Sequence, residues 1–303
     1  MTVNTMRRRL SILLLLIPAA AMAQPADTVI TAAEPLARFE EARAVAVDPA
    51  GLIYVADAGA DVVYRLRADG AVEAVLGGPG TGEGQFDKPS DVDPTNGLIL
   101  VVADAGNSRL QRFSRQYQFL EALPVGTGAG RGPTFRSGEE AVLDRSKGEP
   151  VAVITSNTED VFAVDAEQRV VLKWDRNRRL ERVIGGAEEG DGALMNPVAL
   201  AADARSLYVA DRGRAGVLVY DLFGGFVRVL AEGRAQGVQG LAVFESRLWI
   251  VLPHRILVYH TRGRLEKVLD VALGAPLVDV AVQDGRLYLL TTTQLYRIRL
   301  PDN

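Results

Sequence analysis

Tyr54-Val55-Ala56-Asp57, Val101-Val102-Ala103-Asp104, Phe162-Ala163-Val164-Asp165 and Tyr208-Val209-Ala210-Asp211 are four versions of one phrase, a short apolar strand closed by an aspartate. Their aspartates fall 47, 61 and 46 residues apart, and weaker versions follow at Trp249 to Leu252 and Tyr288 to Thr291. A unit of roughly 40 to 50 residues built from short strands, none able to bury its own apolar faces, is the signature of a β-propeller blade. The expected fold is all-β, a propeller of six blades.

Each phrase sits inside a larger pattern. A strand of small residues precedes it, as in Val45-Ala46-Val47-Asp48-Pro49, Val151-Ala152-Val153 and Val280-Ala281-Val282, with turn residues such as Pro49-Ala50-Gly51 between the two. Small side chains suit the innermost strand, where sheets converge on an axis. A third, alternating strand follows the aspartate, for example Val62 to Leu66 and Leu110 to Phe113, and a fourth follows at Ala71 to Leu76 or Phe119 to Leu123. The sixth copy reaches Asn303 without a fourth strand. Thr28 to Ala37 is expected to supply it, closing the ring by pairing the two ends of the chain and removing exposed sheet edges.

The first residues belong to a different story. Arg7, Arg8 and Arg9 precede an apolar run from Leu10 to Ile17, and Ala21-Met22-Ala23 supplies a small-x-small cleavage site. Residues 1–23 therefore read as a secretory signal peptide and 24–303 as a single propeller domain. The apolar run is shorter than the roughly 20 residues of a membrane span. With no cysteine there is no disulfide, no thiolate metal site and no cysteine-linked lipid. An exported protein follows, periplasmic or extracellular. Losing the three leader arginines takes the formal charge from −4 to −7, a sign that disfavours nucleic acid and anionic membranes as partners.

Gly84-Gln85-Phe86-Asp87-Lys88-Pro89, followed by Val102-Ala103-Asp104-Ala105-Gly106-Asn107-Ser108-Arg109-Leu110-Gln111-Arg112-Phe113, closely resembles an NHL repeat, whose pattern runs G-Q-F-x-x-P, a strand, Y-V-A-D, N-x-R and I-Q-x-F. The first copy (Asp48-Pro49-Ala50-Gly51, Tyr54 to Asp57) and the fourth (Asn196-Pro197, Tyr208 to Asp211) match in part, and the third, fifth and sixth keep little of the motif. The resemblance implies a six-bladed propeller. Families sharing that shape include scaffolds, RNA-binding domains, amidating lyases, virginiamycin-type lyases and gluconolactonases, so fold alone does not decide activity.

The strand-ending Asp57, Asp104, Asp165 and Asp211 look like an acidic ring, but their position before a turn gives each carboxylate backbone N–H groups of its own turn to accept. Asn107, Arg109, Arg169 and Arg214 follow these aspartates and are expected to bond to a neighbouring blade. Aligning the first strands brings Ala44, Asp91, Ala152, Ala199, Gly240 and Asp279 to one position facing the axis, with Asp93 on the same face as Asp91. Two carboxylates at one tunnel mouth are either solvated acids or ligands for Ca²⁺ or Mg²⁺, the only cofactor the sequence suggests. His254 and His260 are the only histidines, too few for a three-histidine zinc site, and they are expected on opposite faces. No G-x-S-x-G elbow is present.

Thr127 to Glu149, behind the long 61-residue step, is a Gly-, Arg- and Glu-rich insertion that reads equally as a lid or as a disordered connection. The functional expectation is a non-catalytic binding or scaffold module recognising a protein, peptide or glycan on its loop face through Arg109, Arg169, Arg212, Arg214, His254 and Arg255. The alternative is a metal-assisted lyase or lactonase with the cation held by Asp91 and Asp279.

Overall fold

A computed structural model describes residues 26–94, 97–126 and 148–300. The leader expected at 1–23 and most of the insertion expected from Thr127 lie outside these residues. Two strands open the described chain, β1 (Ala26–Ile30) and β2 (Glu34–Arg38). Blade 1 then contains β3 (Ala42–Val47), β4 (Ile53–Asp57), β5 (Val62–Leu66) and β6 (Val72–Gly77). Blade 2 contains β7 (Pro89–Asp93), β8 (Ile99–Asp104), β9 (Arg109–Ser114) and β10 (Phe119–Pro124). Blade 3 contains β11 (Pro150–Thr155), β12 (Val161–Asp165), β13 (Val170–Trp174) and β14 (Leu180–Ile184), and blade 4 contains β15 (Pro197–Ala202), β16 (Ser206–Asp211), β17 (Gly216–Asp221) and β18 (Phe226–Leu230). Blade 5 contains β19 (Gly240–Phe244), β20 (Arg247–Leu252), β21 (Arg255–His260) and β22 (Leu265–Val271), and blade 6 contains β23 (Leu277–Gln283), β24 (Arg286–Thr291) and β25 (Gln294–Arg299).

Within each blade consecutive strands pair antiparallel. The innermost strands β3, β7, β11, β15, β19 and β23 pack one on the next, and β23 packs back on β3, so the six sheets form a closed ring. Closure uses the segment expected for it, but in two pieces. β2 pairs antiparallel with β25 and is the missing outer strand of blade 6. β1 instead pairs parallel with β22 and gives blade 5 a fifth strand. The expectation of one strand over Thr28 to Ala37 is corrected accordingly. Pro35 fits the outer edge, where its missing N–H costs no ladder bond.

The second strand of each blade is apolar on both sides because both sides are covered. In β4, Ile53 and Val55 pack with Ala281, Tyr288 and Leu290 of blade 6, while Tyr54 and Ala56 pack with Val92, Leu100 and Val102 of blade 2. The same alternation around the ring makes each apolar cluster an interface between neighbouring blades, so no blade owns its core. At about 25 cal/mol per Å² of apolar area, this shared burial is the main favourable term holding the ring.

This connectivity defines two faces. The turns between second and third strands and the loops between blades lie on one, here the loop face. The turns between first and second strands and between third and fourth strands lie on the other, the underside.

Candidate functional site

On the loop face, each strand-ending aspartate is fully buried and acts as a staple. Asp57 accepts from the backbone N of Glu40 (2.9 Å) and Glu41 (2.8 Å), which lead into β3, and from Gly59 N in its own turn (3.1 Å). Asp211 does the same with Met195 N (2.7 Å), Asn196 N (3.0 Å) and Arg214 N (3.0 Å). Asp165 accepts from Glu149 N (3.1 Å) and Gln168 N (3.3 Å). The turn-structuring role expected of these acids is thus present, and it extends to the loop that brings the chain into the blade. In blade 6, Thr291 stands in this position, its hydroxyl bonded to Gln294 N and O at 3.1 Å.

Blade 2 shows what the repeat motif is for. Asp104 accepts from Asp87 N (2.8 Å), Asn107 Nδ2 (2.9 Å), Arg109 Nε (2.8 Å) and Gln111 Nε2 (3.0 Å). The same three side chains reach outward to the incoming loop. Asn107 donates to Gly80 O, Arg109 to Gly82 O and Gln85 O, and Gln111 donates to Gln85 O while accepting from Gly84 N. Phe86 plugs the loop against Phe113, edge to face at 5.9 Å. Gly77 stands beneath it with φ +98°, where a Cβ would lie 2.3 Å from the Phe86 ring. Blade 3 lacks the motif, and Asp165 Oδ2 has no hydrogen-bond partner among the described residues. Burial raises the Asp165 carboxyl above the usual range.

All six residues expected to meet a ligand lie on or beside the loop face, but their donors are differently committed. Arg109 is tied to Asp104 and the incoming loop as above. Arg214 Nη2 donates to Asp191 O at 2.9 Å, and Arg212 donates to Val238 O (2.7 Å) and Gln239 Oε1 (2.6 Å). The expectation that Asn107, Arg109, Arg169 and Arg214 bond to a neighbouring blade is corrected: Asn107, Arg109 and Arg214 hold the loop that enters their own blade, and it is Arg212 that reaches the loop entering the next one. Arg255 pairs with Asp270 at 2.6 Å. Arg169, at φ +59°, and His254 are exposed. The two histidines do not meet: β21 separates them by about 20 Å at strand rise, and His260 Nδ1 accepts from Arg262 N on the underside.

At the axis, the alignment of the sequence copies holds. Ala44, Asp91, Ala152, Ala199, Gly240 and Asp279 each pair with the residue at the same place of the second strand, namely Ala56, Ala103, Val164, Ala210, Val251 and Leu290. The two carboxylates bond sideways to the next blade. Asp91 Oδ2 accepts from Val153 N at 2.7 Å and Oδ1 from Val92 N at 2.8 Å, while Asp279 Oδ2 accepts from Val45 N at 2.9 Å. Asp93 Oδ2 accepts from Thr155 N at 2.6 Å. Gly240 leaves room for the Asp279 carboxylate, since a Cβ there would lie 2.3 Å from Oδ1.

Both axial acids keep some surface open toward the channel yet are enclosed by protein. Burial drives the Asp279 carboxyl to about 7, opposed by its bonds to Val45 N and Val280 N. Asp91 lies well above the usual carboxylate range, first from burial and then because it faces the charge of Asp279. The acids resist ionisation and are already hydrogen-bonded, so the picture of freely solvated carboxylates is replaced by inter-blade staples. Among the described residues no group of three or more His, Cys, Asp or Glu is arranged to hold a metal ion.

The underside carries an arrangement not expected from the sequence. Arg65, Arg112, Lys173 and Arg297 occupy one position of the third strand, opposite Tyr54, Val101, Phe162 and Tyr288. Each pairs with a glutamate of the outer strand: Glu73 at 3.1 Å, Glu121, Glu181 at 2.7 Å and Glu34 at 2.5 Å. The recurrence of Glu73, Glu121 and Glu181 in the fourth strands was the available signal. In a cleft of about 320 Å³ between blades 1 and 2, Tyr117 (φ +61°) stacks under Arg65 at 4.5 Å and bonds its hydroxyl to that of Tyr54 at 2.9 Å. Burial, then the bond to Tyr117, pushes the Tyr54 phenol far up.

No family model matches the chain. A tRNA (uracil-5-) methyltransferase, TrmFO, of Rubrobacter xylanophilus is 28% identical over 155 residues, 46% of this chain. That match spans about a third of the relative's length, 34%. Among solved structures, a gluconolactonase of Xanthomonas campestris superimposes with a TM-score of 0.64 at 17% identity, covering 88% of this chain and 89% of that one. A catalytically inactive histidine-to-alanine variant of virginiamycin B lyase from Staphylococcus aureus, solved with quinupristin, gives 0.60 at 11% identity, covering 83% of this chain and 78% of that one. At these identities the likeness establishes the six-bladed propeller fold, in agreement with the sequence reading. Among the described residues no helix is long and apolar enough to cross a membrane.

Proposed function

We propose that the chain is an exported binding propeller whose loop face engages a protein, peptide or glycan partner. One observation carries this reading. The loop face is a collar of turns pinned to the incoming loops by buried carboxylates, with Arg169, Arg212, His254 and Arg255 exposed at its surface. A scaffold fixed before binding loses little conformational freedom on complex formation, and guanidinium groups on it favour anionic groups of a partner. The test is crosslinking in the exported fraction with the parent and with Arg169→Glu plus Arg255→Glu. The reading expects one partner captured by the parent and lost in the double variant, while the underside variant Arg262→Glu retains it. Capture unaffected by the double variant sinks it.

A metal-assisted lyase or lactonase is the second reading, favoured by the placement of Asp91 and Asp279 on one channel and by the likeness in shape to a gluconolactonase and a virginiamycin B lyase. Hard oxygen ligands fit Ca²⁺ or Mg²⁺, and two carboxylates supply fewer than the roughly six to eight oxygens that calcium takes, leaving backbone carbonyls and water to complete the shell. A cation there would supply Lewis acidity, with Asp91 and Asp279 holding it. Thermal stability in excess Ca²⁺ or Mg²⁺ should then rise for the parent and not for Asp91→Ala plus Asp279→Ala. An equal response in both would reject this reading.

A further inference from the structure

We propose that an underside groove on blade 6 binds a small oxyanion-bearing ligand, one carrying a phosphate, sulfate or carboxylate group, through Arg286 and Arg299. The two arginines stand directly opposite each other across the β24–β25 ladder. Opposed side chains of this kind have β carbons about 5 Å apart, and like charges so placed repel. Both side chains are exposed, and neither forms an ion pair among the described residues.

Arg297 lies two residues from Arg299 on the same face of β25. Its guanidinium is fixed, with Nε and Nη2 on Glu34 Oε2 (3.1 and 2.5 Å) and Nη1 on Ala68 O (2.5 Å). That set of bonds fastens blade 6 to the underside turn of blade 1 and places a third cation on the groove wall. The groove is open to solvent, has a volume of about 370 Å³ and is completed by Glu34 and Asp284. Glu34 is already matched by Arg297, which leaves two guanidinium groups against Asp284 in a chain whose formal charge is −4. An oxyanion bridging Arg286 and Arg299 would turn repulsion into two charge-assisted, bidentate contacts. The site lies on the face opposite the loops and does not depend on the reading given for them.

Thermal unfolding of the full chain provides the test, with sodium phosphate, sodium sulfate, glucose 6-phosphate and galacturonate titrated at constant ionic strength near neutral pH. Chloride and glucose are the controls. The parent should show a Tm that climbs with the logarithm of concentration for at least one oxyanion and for neither control. Glucose 6-phosphate against galacturonate identifies which group is preferred. Arg286→Ala and Arg299→Ala should lose the response. Arg286→Glu can pair with Arg299, so it should fold with a Tm no lower than that of the parent and yet show no response. A parent indifferent to all four anions, or an Arg286→Glu variant that responds as the parent does, would overturn the proposal.

Discussion

Replacing Asp279 with asparagine should remove a substantial part of a decline in stability that the parent shows between about pH 4 and about pH 8. In the folded chain burial holds this carboxyl at about 7, against 3.8 for an ordinary aspartate. Between those two values the native state keeps a proton that the unfolded chain has released, so raising the pH favours unfolding. The stabilisation is complete below about pH 4 and gone above about pH 7. A separation of that size corresponds to about 4 kcal/mol, and the partial opening of the carboxyl to the channel reduces it to about 2 to 4 kcal/mol. Asp91, raised by burial and by the charge of Asp279, adds its own decline from about pH 4 upward, and this part remains in the variant. Asparagine keeps an acceptor for Val45 N without a charge, so the variant should retain only the pH dependence of the other groups. Urea unfolding at about pH 5 and about pH 8, followed through the buried Trp174 and Trp249, measures both slopes. A parent whose stability rises over this interval, or a variant that keeps the whole decline, would refute the reasoning.

Asp104→Ala should cost about 3 to 5 kcal/mol in denaturant unfolding, because it strands the Arg109 guanidinium, Gln111 and a backbone donor in a buried position. Gly240→Ala should cost about 1 to 3 kcal/mol through its clash with Asp279 Oδ1, and a double-mutant cycle with Asp279→Ala should recover part of that loss. A chain starting at Thr31 lacks β1 and should remain a closed ring, losing about 2 kcal/mol for the burial of Ile30, whereas one starting at Phe39 lacks β2 as well and should melt far lower, as circular dichroism on heating would show.

The blade count was legible because each second strand is covered on both sides, which writes an uninterrupted apolar run such as Ile53 to Ala56 into the chain at every repeat. The split of the opening segment was not. Parallel pairing of β1 with β22 leaves no hairpin turn and no alternation to mark it, and Thr31 to Ala33 reads as a continuation of the strand. Turn aspartates were readable because part of their bonding is local, as between Asp57 and Gly59. The partners of the axial acids lie 62 and 234 residues away, at Val153 and Val45, so their position could be aligned but their bonding could not. The Arg and Lys to Glu pairs of the underside were legible and were missed, since exposed charges on outer strands resemble ordinary solvated surface.

The strands that begin the described chain finish sheets made from its last part, and this sets an order on biogenesis. Until Gln294 to Arg299 have been synthesised, β2 has no neighbour to hydrogen-bond and blade 1 has no blade 6 against which to bury Ile53 and Val55. Contacts spanning most of the polypeptide are slow to form, so closure of the ring waits for the last blade even where earlier blades have already packed on one another.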